Sequence, residues 1–306
     1  MLSAKIILAS ASAHAKPLYT FKLRYPWQIH GEVMTHRVFS RNASSNRAIP
    51  TKKLLEEAGN PETMAYPSFA VVNAPGMQGG RPMTDFERET ARTIWVNAAQ
   101  RAVLEAAQLA GIGCAKQDVN RLLMPFTHAN VVLTATEFDN FFGLRLDAAA
   151  DPTIRQLAEL MWAEMQSCIY QKLEPGQWHL PFVDDEEVFF GDTAEEAERN
   201  CIKVSVARCA RVSYESFETG KRSTIEEDLK LYDKLMGQQP LHASPAEHQA
   251  TPDVYRYVDN PSFEDYGKDG WKHPEQHGNL VGWRQYRKML PGEACAPLPI
   301  QYATSK

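Results

Sequence analysis

The sequence has few cysteines, no long apolar run and no basic excess. Its five cysteines are scattered and form no C-x-x-C pair, which argues against a disulfide framework or a zinc site and favours a reducing cytoplasm. No apolar stretch approaches the ~20 residues that a membrane span needs, so we expect no membrane partner. Lys and Arg number 33 against 38 Asp and Glu, and this acidic balance argues against binding to duplex nucleic acid.

Three motifs that often mark nucleotide or nucleophile sites are also missing. The chain contains no G-x-G-x-x-G, no P-loop and no G-x-S-x-G. A Rossmann dinucleotide site, a P-loop phosphate site and a nucleophile elbow each depend on one of these glycine spacings. A flavin or nicotinamide enzyme with this sequence would therefore need a different fold.

The composition is that of a globular protein, with 43% hydrophobic and 23% charged residues. No stretch reads as a linker, so we expect a single domain over residues 1–306 with long loops at about 50–83 and 250–278. Alternating apolar residues predict a strand at 18–25, after a first strand within 1–15. Capping patterns predict helices that start at Thr84, Asp151, Thr193 and Ser223, and further helices are expected after Pro26 and at 117–123, 137–146 and 279–290.

A polar run near the N-terminus is the first candidate site. Arginine presents a planar fork of donors that suits phosphate, and small hydroxyl and amide residues leave backbone N–H groups free to face an anion. The pattern favours phosphate or nucleotide binding, although a solvated polar turn would have the same composition. Its members are His36, Arg37, Ser40, Asn42, Ser45 and Arg47.

Two arginines, Arg121 and Arg145, lie in apolar surroundings in the sequence. A buried arginine needs a carboxylate or an anionic ligand as its partner. The pattern therefore predicts either an anion site or a structural salt bridge at each position.

Two further segments carry polar side chains near the C-terminal end. In LHASPAEH, the spacing of His242, Glu247 and His248 does not match a metal motif, so hydrogen bonding to a cofactor or a plain turn is expected instead. In the predicted helix 279–290, Arg284 and Lys288 would share one face beside Gln285. Such a face would either hold an anion or lie in solvent.

Together these pieces resemble the flavin-dependent (alternative) thymidylate synthases. The family signature is R-H-R-x-x-S-x-N-E-x-S-x-R-Y, and residues 35–48 match six of its specified positions in register. At ~5% usage per residue, this would occur by chance at on the order of 10⁻⁸ per start position. Residues 120–145 resemble the R-x-x-L-P and N-F-x-x-L-R segments, and residues 207–214 and 241–248 resemble A-A-R-V-S-Y and H-x-S-P-F-E-H.

The order of these segments is unusual, because the last two precede the signature in ordinary members. The chain thus resembles a phage-type branch with a permuted motif order. Ordinary members also carry R-Q-x-x-R-H-R on one helix, where this chain has Gly31 and Glu32 in place of Arg-Gln. Arg284 and Gln285 have the missing residue types, so we expect the C-terminal helix to complete the site.

The resemblance implies an α+β fold with helices packed on a mostly antiparallel sheet. It implies methylation of dUMP at C5 with methylenetetrahydrofolate as carbon donor, a hydride from reduced FAD, and NADPH as reductant of the flavin. Arg145 would sit on the uracil edge as the catalytic residue. The other substrate-binding residues would be Ser40, Ser45, Arg47, Arg121, Arg284 and Gln285, and the flavin would contact His36, Arg37, Asn42, Asn140, Ser213, His242, Ser244 and Glu247.

The resemblance also implies a homotetramer with active sites between subunits. Departures from the family pattern leave two alternatives open. Ala43 replaces the signature glutamate, which would suit a related enzyme acting on dCMP or forming a hydroxymethyl product. Thr134 and Thr136 stand where the family has flavin-contacting Asn and Arg, which would suit a non-catalytic nucleotide- or RNA-binding homologue.

Overall fold

The computed structural model describes residues 1–75, 79–184, 187, 190–213, 223–238, 241–257 and 270–293. Cys295 and residues 258–269 of the predicted loop 250–278 lie outside these residues. The loop prediction is wrong in the part described, where Ala250–Pro252, Tyr255–Arg256 and Gly270–Trp271 form strands by pairing with distant segments or with each other. Within them, no helix combines the length and the apolar character needed to cross a membrane.

A five-stranded sheet forms the centre of the fold. Its strand order is β3-β4-β2-β1-β5, and all neighbours are antiparallel except β1 and β5. The expected mostly antiparallel sheet is confirmed, and so are the two N-terminal strands. The strands are β1 (Ser3–Ala11), β2 (Leu18–Pro26), β3 (Ser40–Ala43), β4 (His128–Ala135) and β5 (Gln171–Lys172).

One face of this sheet is apolar. Phe21 and Leu23 of β2 and Leu133 of β4 are at most 1% exposed on it. Burial of each such side chain contributes about 1.5–3 kcal/mol, so this face is the main core. It is covered by α1 (His30–Met34), α5 (Asp139–Arg145) and α6 (Pro152–Ser167).

The opposite face is polar where it meets the C-terminal half of the chain. Register places Ser40 of β3, Thr134 of β4 and Thr20 of β2 in one row across the sheet. This face is covered by α7 (Ala194–Ala210), by the 3-10 turn Ser244–Glu247, and by the pair β6 (Ala250–Pro252) and β9 (Trp283–Gln285). A second pair joins β7 (Tyr255–Arg256) and β8 (Gly270–Trp271), and α8 (Ile225–Met236) packs on α7.

Three helices form a separate apolar cluster beside the sheet. They are α2 (Thr51–Gly59), α3 (Asp85–Gly111) and α4 (Lys116–Leu123), packed around Leu54, Ala106 and Leu123. The capping box predicted at Thr84 is present, because Thr84 accepts from the Glu87 N–H and Glu87 accepts from the Thr84 N–H. The prediction of a loop over 50–83 is wrong in its first part, where α2 uses Pro50 as its N-cap.

Two other helix predictions need correction. The cap of α8 is Thr224, one residue after the predicted Ser223, because Thr224 accepts from the Glu227 N–H. The predicted helix 279–290 is wrong. Gly282 has a φ of +86°, Trp283–Gln285 pair with β6 as a strand, and only the short α9 (Tyr286–Met289) is helical.

Candidate active site

Strand β3 and its flanking turns carry most of the predicted signature. Within the described residues β3 pairs with β4 alone, so it lies at the edge of the sheet. As in any strand, its successive side chains point to opposite faces. Arg41 points to the apolar side, where its Nη1 donates to the carbonyl oxygens of Val33 and His36 at 3.1 and 2.8 Å. Burial lowers the pKa of Arg41. These bonds fix the turn between α1 and β3.

Arg145 lies on this side, in a cluster with the end of α1. Its Nε donates to His36 Nε2 at 3.1 Å, its Nη1 to Glu32 Oε2 at 3.0 Å, and its Nη2 to Thr35 Oγ1 at 3.3 Å. The Arg145 side chain is 18% exposed, so the prediction of a partnered, mostly buried arginine is confirmed at this position.

His36 is neutral in this arrangement. Desolvation by burial, and then the charge of Arg145, lower its pKa. Because Nε2 accepts from Arg145, the ring proton lies on Nδ1. A side-chain hydrogen bond joins His36 to the exposed Asn140. The ring also packs edge-on against Phe141, with centroids 5.0 Å apart.

Arg121 does not meet the same expectation. It is exposed on α4, with only a loose ion pair of 3.5 Å to Asp118. Arg47 is also exposed, and among the described residues no side chain forms an ion pair with it. Both guanidinium groups therefore face solvent, where an anionic ligand can reach them. The expectation of a buried Arg121 is wrong because α4 turns only Val119, Asn120 and Leu123 inward.

Asn120 connects the two elements that carry these arginines. Its Nδ2 donates to the carbonyl oxygens of Asn46 and Ile49, at 2.8 and 3.0 Å. The side chain is fully buried, so the loop that carries Arg47 is tied to the helix that carries Arg121. The sequence analysis did not identify Asn120, and its position next to Arg121 is the only signal that could have suggested it.

Distant segments meet β3 on its polar side. The Ser45 N–H donates to Ser213 Oγ at 2.7 Å. Asn42 Nδ2 donates to the Cys209 carbonyl oxygen at 2.7 Å, and Asn42 Oδ1 accepts from Ser244 Oγ at 3.4 Å. The segments around residues 213 and 244 therefore reach the signature, as the resemblance implied. His242 and Arg37 remain exposed, without a side-chain hydrogen bond to other described residues.

Gln285 also reaches the signature, although not from a helix. Its Nε2 donates to Ser40 Oγ at 3.2 Å, to Asn279 Oδ1 at 3.1 Å and to the Glu247 carbonyl oxygen at 3.2 Å. Ser40 and Gln285 are each 1% exposed, so they hold the polar face together from inside.

The predicted basic helix face is absent, because its members fall on different elements. Arg284 lies in β9 and donates to Gln276 Oε1 at 2.7 Å, whereas Lys288 lies in α9 and pairs with Glu293 at 2.7 Å. Arg287 pairs with Glu247 and Glu293. Burial is the largest single influence on the pKa of Arg287 and lowers it, but the two carboxylates together outweigh burial, so the pKa is raised. The positive charges of Arg287 and Lys288 are thus compensated within the chain.

A buried polar chain crosses the sheet, and of its members only Thr134 and His248 were named from the sequence, neither for this role. Ser10 Oγ contacts His179 Nδ1 at 2.7 Å, and His179 Nε2 contacts Thr20 Oγ1 at 2.8 Å. Thr20 Oγ1 contacts Thr134 Oγ1 at 2.6 Å, which contacts His248 Nδ1 at 2.8 Å. Burial lowers the pKa of both histidines to about 3, so both are neutral.

The two buried cysteines offer no activated thiol. Burial raises the pKa of Cys201 and of Cys209, and the thiolate is the nucleophilic form. The described residues contain no group of three or more His, Cys, Asp or Glu that could hold a metal.

The site residues thus fall into two groups on opposite sides of β3. Arg145 and His36 lie on the apolar side, whereas Ser40, Asn42 and Gln285 lie on the polar side. No contact joins Arg145 to Arg47 or Arg121 within the described part of the chain. Exposed guanidinium groups suit phosphate oxygens, and a neutral histidine beside a partnered arginine suits an uncharged, hydrogen-bonding ring.

Comparison with known proteins identifies the family. Residues 8–169 match the family model described as thymidylate synthase complementing protein. This stretch is more than half of the chain and includes the signature, Arg121 and Arg145. The chain belongs to the thymidylate synthase complementing protein family, as its resemblance to the flavin-dependent enzymes indicated, and is a thymidylate synthase-like methyltransferase. The segments around residues 213 and 244 lie beyond the match, so the permuted order and the phage-type branch remain predictions.

Solved structures provide a more distant likeness. Two crystal structures of the UMP/dUMP methylase PolB from Streptomyces cacaoi, bound with 5-Br UMP and with 5-Br dUMP, align with a TM-score of 0.42 each. Their identities to this chain are 17% and 18%. The alignments cover 54% of this chain and 89% and 90% of the other chains. No curated protein matches the sequence.

Proposed function

We propose that this methyltransferase methylates dUMP at C5, with methylenetetrahydrofolate as carbon donor and a flavin as hydride carrier. The observation that carries the proposal is the Arg145 cluster, which lies within the family match and holds a guanidinium against Glu32, Thr35 and His36. A cation held in place before the reaction begins stabilises negative charge as it develops, without reorganising. Arg145 would do so at the pyrimidine ring.

The substrate phosphate would bind to the exposed arginines. Arg47 and Arg121 are exposed, and the ion pair of 3.5 Å between Arg121 and Asp118 is loose enough for a phosphate to displace. Asn120 holds together the elements that carry both arginines. Ser45 lies in the same loop, where its hydroxyl accepts from the Arg47 N–H at 3.2 Å. Ser40 and Gln285 are too buried for a ligand, so we assign them the positioning of β3 rather than substrate contact. Arg284 binds Gln276 and has no assigned role.

The residues present fit a flavin with a diphosphate group. Arg37, Asn140, His242 and Ser244 are exposed donors that could hold it. The family resemblance assigns four further residues to FAD, and these already form hydrogen bonds within the chain: His36, Asn42, Ser213 and Glu247. They would orient the exposed donors or contact the flavin ring. When bound, FAD reduced by NADPH would supply the hydride. Thr134 is buried in the sheet and Thr136 is 6% exposed, so neither replaces the family's flavin contacts.

Assembly between subunits would complete the site. Arg145 has no contact with Arg47 or Arg121 in the described chain, although all three would serve one nucleotide. The long helix α3 leaves Phe86, Ile94 and Leu104 at 82%, 64% and 64% exposure, and exposed apolar patches are typical of interfaces. These features support sites shared between subunits, as in the homotetramer that the family resemblance implies. The cytoplasmic location is proposed from the few, unpaired cysteines of the sequence.

Two measurements test this function. The visible absorption spectrum of the purified protein should show bound flavin, and tritium should be released from 5-labelled dUMP with methylenetetrahydrofolate and NADPH. Product analysis by mass spectrometry with dUMP and dCMP side by side tests the alternative that Ala43 motivates, a dCMP-modifying or hydroxymethyl-forming enzyme. A colourless protein that binds nucleotide without turnover would instead support the non-catalytic homologue.

A further inference from the structure

We propose that Glu32 is the positioning residue for Arg145, setting the orientation in which this arginine meets the pyrimidine. The inference deepens the proposed function and rests on it. It concerns a residue outside the six signature positions that the chain shares with the family. Its basis is the ion pair of 3.0 Å between Arg145 Nη1 and Glu32 Oε2, made where α5 meets α1.

The contacts of Arg145 fix the plane of its guanidinium group. Each of its three nitrogens has one partner, and all three partners lie within residues 32–36. A guanidinium has five N–H donors, so two of them, one on each Nη atom, remain for a ligand. Two donors held in one fixed plane suit two neighbouring acceptors on a planar ring.

Glu32 supplies the only charge among these three partners. His36 accepts through Nε2 and is therefore neutral, and Thr35 is a hydroxyl that donates to the Glu32 carbonyl oxygen at 2.6 Å. Hydrogen bonds to a charged partner are about twice as strong as neutral ones. Glu32 therefore contributes most to holding the fork, whereas Thr35 and His36 refine its rotation.

A purely structural ion pair is the alternative explanation, since the contact also joins two helices. The two roles differ in what they change. A structural pair affects the stability of the fold and leaves nucleotide affinity unchanged. A positioning residue affects dUMP binding and turnover more than stability. Its amide analogue, which can still accept a hydrogen bond from Nη1 but has no charge, restores part of the loss.

The chain offers a matched control on the approach to the same helix. Glu137 pairs with Lys16 at 2.7 Å just before α5, and its side chain is 36% exposed, compared with 39% for Glu32. Glu137→Gln removes a carboxylate of similar exposure without touching Arg145, although its partner Lys16 is more exposed than Arg145. Any general effect of losing a surface carboxylate next to α5 would appear in this variant too.

The experiment measures dUMP affinity by calorimetry, flavin affinity by absorbance, KM and kcat, and thermal midpoints for Glu32→Ala, Glu32→Gln and Glu137→Gln. We expect Glu32→Ala to weaken dUMP binding at least tenfold, about 1.4 kcal/mol, and to lower kcat, with flavin affinity within twofold. Glu32→Gln should recover part of the affinity, because its amide oxygen can still accept from Nη1 but carries no charge, and Glu137→Gln should match the wild type.

Three results would overturn the inference: unchanged dUMP affinity in Glu32→Ala, equal losses for dUMP and flavin, or no recovery in Glu32→Gln. If Glu32→Ala does not fold, the comparison of Glu32→Gln with Thr35→Val, which keeps the charge but removes the Nη2 contact, replaces it. Glu32→Gln should then lose more dUMP affinity than Thr35→Val, because Glu32 makes the charged contact and Thr35 a neutral one of 3.3 Å. The reverse order would overturn the inference. A wild-type protein that binds no pyrimidine nucleotide would refute the proposed function itself, whereas normal binding by both wild type and Glu32→Ala would refute only the role of Glu32.

Discussion

Acidification should destabilise this fold through the buried chain that links Ser10 to His248. His179 and His248 are both 0% exposed, and burial lowers the pKa of each from 6.5 to about 3. Below pH 6.5 both histidines become protonated in the unfolded chain, whereas in the folded chain they stay neutral until the pH approaches 3. Their contribution to stability is therefore fully present above about pH 6.5 and is lost as the pH falls towards 3.

The size of the effect follows from the shifts. One pKa unit corresponds to about 1.4 kcal/mol, so a fall from pH 6.5 to pH 5 costs about 2 kcal/mol per histidine. The two histidines together would cost about 4 kcal/mol, a large part of the ~5–15 kcal/mol that stabilises a typical domain. In addition, the buried Nε2 atom of His248 has no hydrogen-bond partner among the described residues.

Urea denaturation at pH 7, 6 and 5 measures this loss. His179→Gln should be less stable than wild type at pH 7, because it disrupts the contacts with Ser10 and Thr20. Its stability should nevertheless fall less steeply with acid, by roughly 1.4 kcal/mol per pH unit, since one titrating group is gone. His242→Gln controls for the substitution at an exposed position. Equal slopes for wild type and His179→Gln would refute the reasoning.

Further predictions concern the site. Arg145→Ala should abolish turnover while flavin stays bound. Arg145→Lys should also have low turnover, because an ammonium group cannot reproduce the planar fork. Single-turnover assays measure the activity of each variant, and absorbance measures its bound flavin. Gln285→Ala should cost about 1–3 kcal/mol in urea denaturation, because it removes the donor to the buried Ser40 hydroxyl and to two partly buried acceptors. Arg284→Ala should stay within about 0.5 kcal/mol. A folded variant in which all five cysteines are replaced should keep its activity in the tritium-release assay; the positions are Cys114, Cys168, Cys201, Cys209 and Cys295. Loss of activity from one of these substitutions in a folded protein would indicate covalent cysteine catalysis.

Local signals in the sequence were sufficient where the structure is itself local. The strand at Leu18–Pro26 follows from its alternation, and the helices after Thr84 and Asp151 follow from caps whose hydrogen bonds span two or three residues. The six matching positions of the signature identified the family because they are specific at fixed spacing. In each case the chemistry that decides the structure lies within one short stretch of chain.

Tertiary contacts decided the elements that were missed. In the segment 279–290, Arg284 and Lys288 have helical spacing, but burial of Trp283 against Leu18 and pairing with β6 outweigh it. Strand β4 was not predicted, although its eight residues are all buried between two covered faces. Helix α2 is only nine residues long and is held by packing on α3 and α4. Short elements of this kind depend on partners that the local pattern does not show.

The exposure of Arg121 shows a second reason why the site could not be predicted fully from the sequence. Apolar neighbours suggested burial for both Arg121 and Arg145, yet only Arg145 is enclosed. The difference arises because α5 ends against α1, where Glu32 meets the guanidinium, whereas the face of α4 that carries Arg121 has no partner element among the described residues. Which arginine is buried is thus decided by the second element and not by the residues beside it in sequence.

The short strand β3 explains how the site can tolerate a change in segment order. One side of β3 approaches α1 and α5, and the other side contacts α7, the 244–247 turn and β9. Each of these contacts depends on how the neighbouring element packs against β3. It does not depend on how many residues separate that element from β3 in the sequence. Cys209, Ser244 and Gln285 lie more than 160 residues beyond β3 and still bond to Ser40 or Asn42. A permuted chain that keeps these elements packed would therefore keep the same hydrogen bonds.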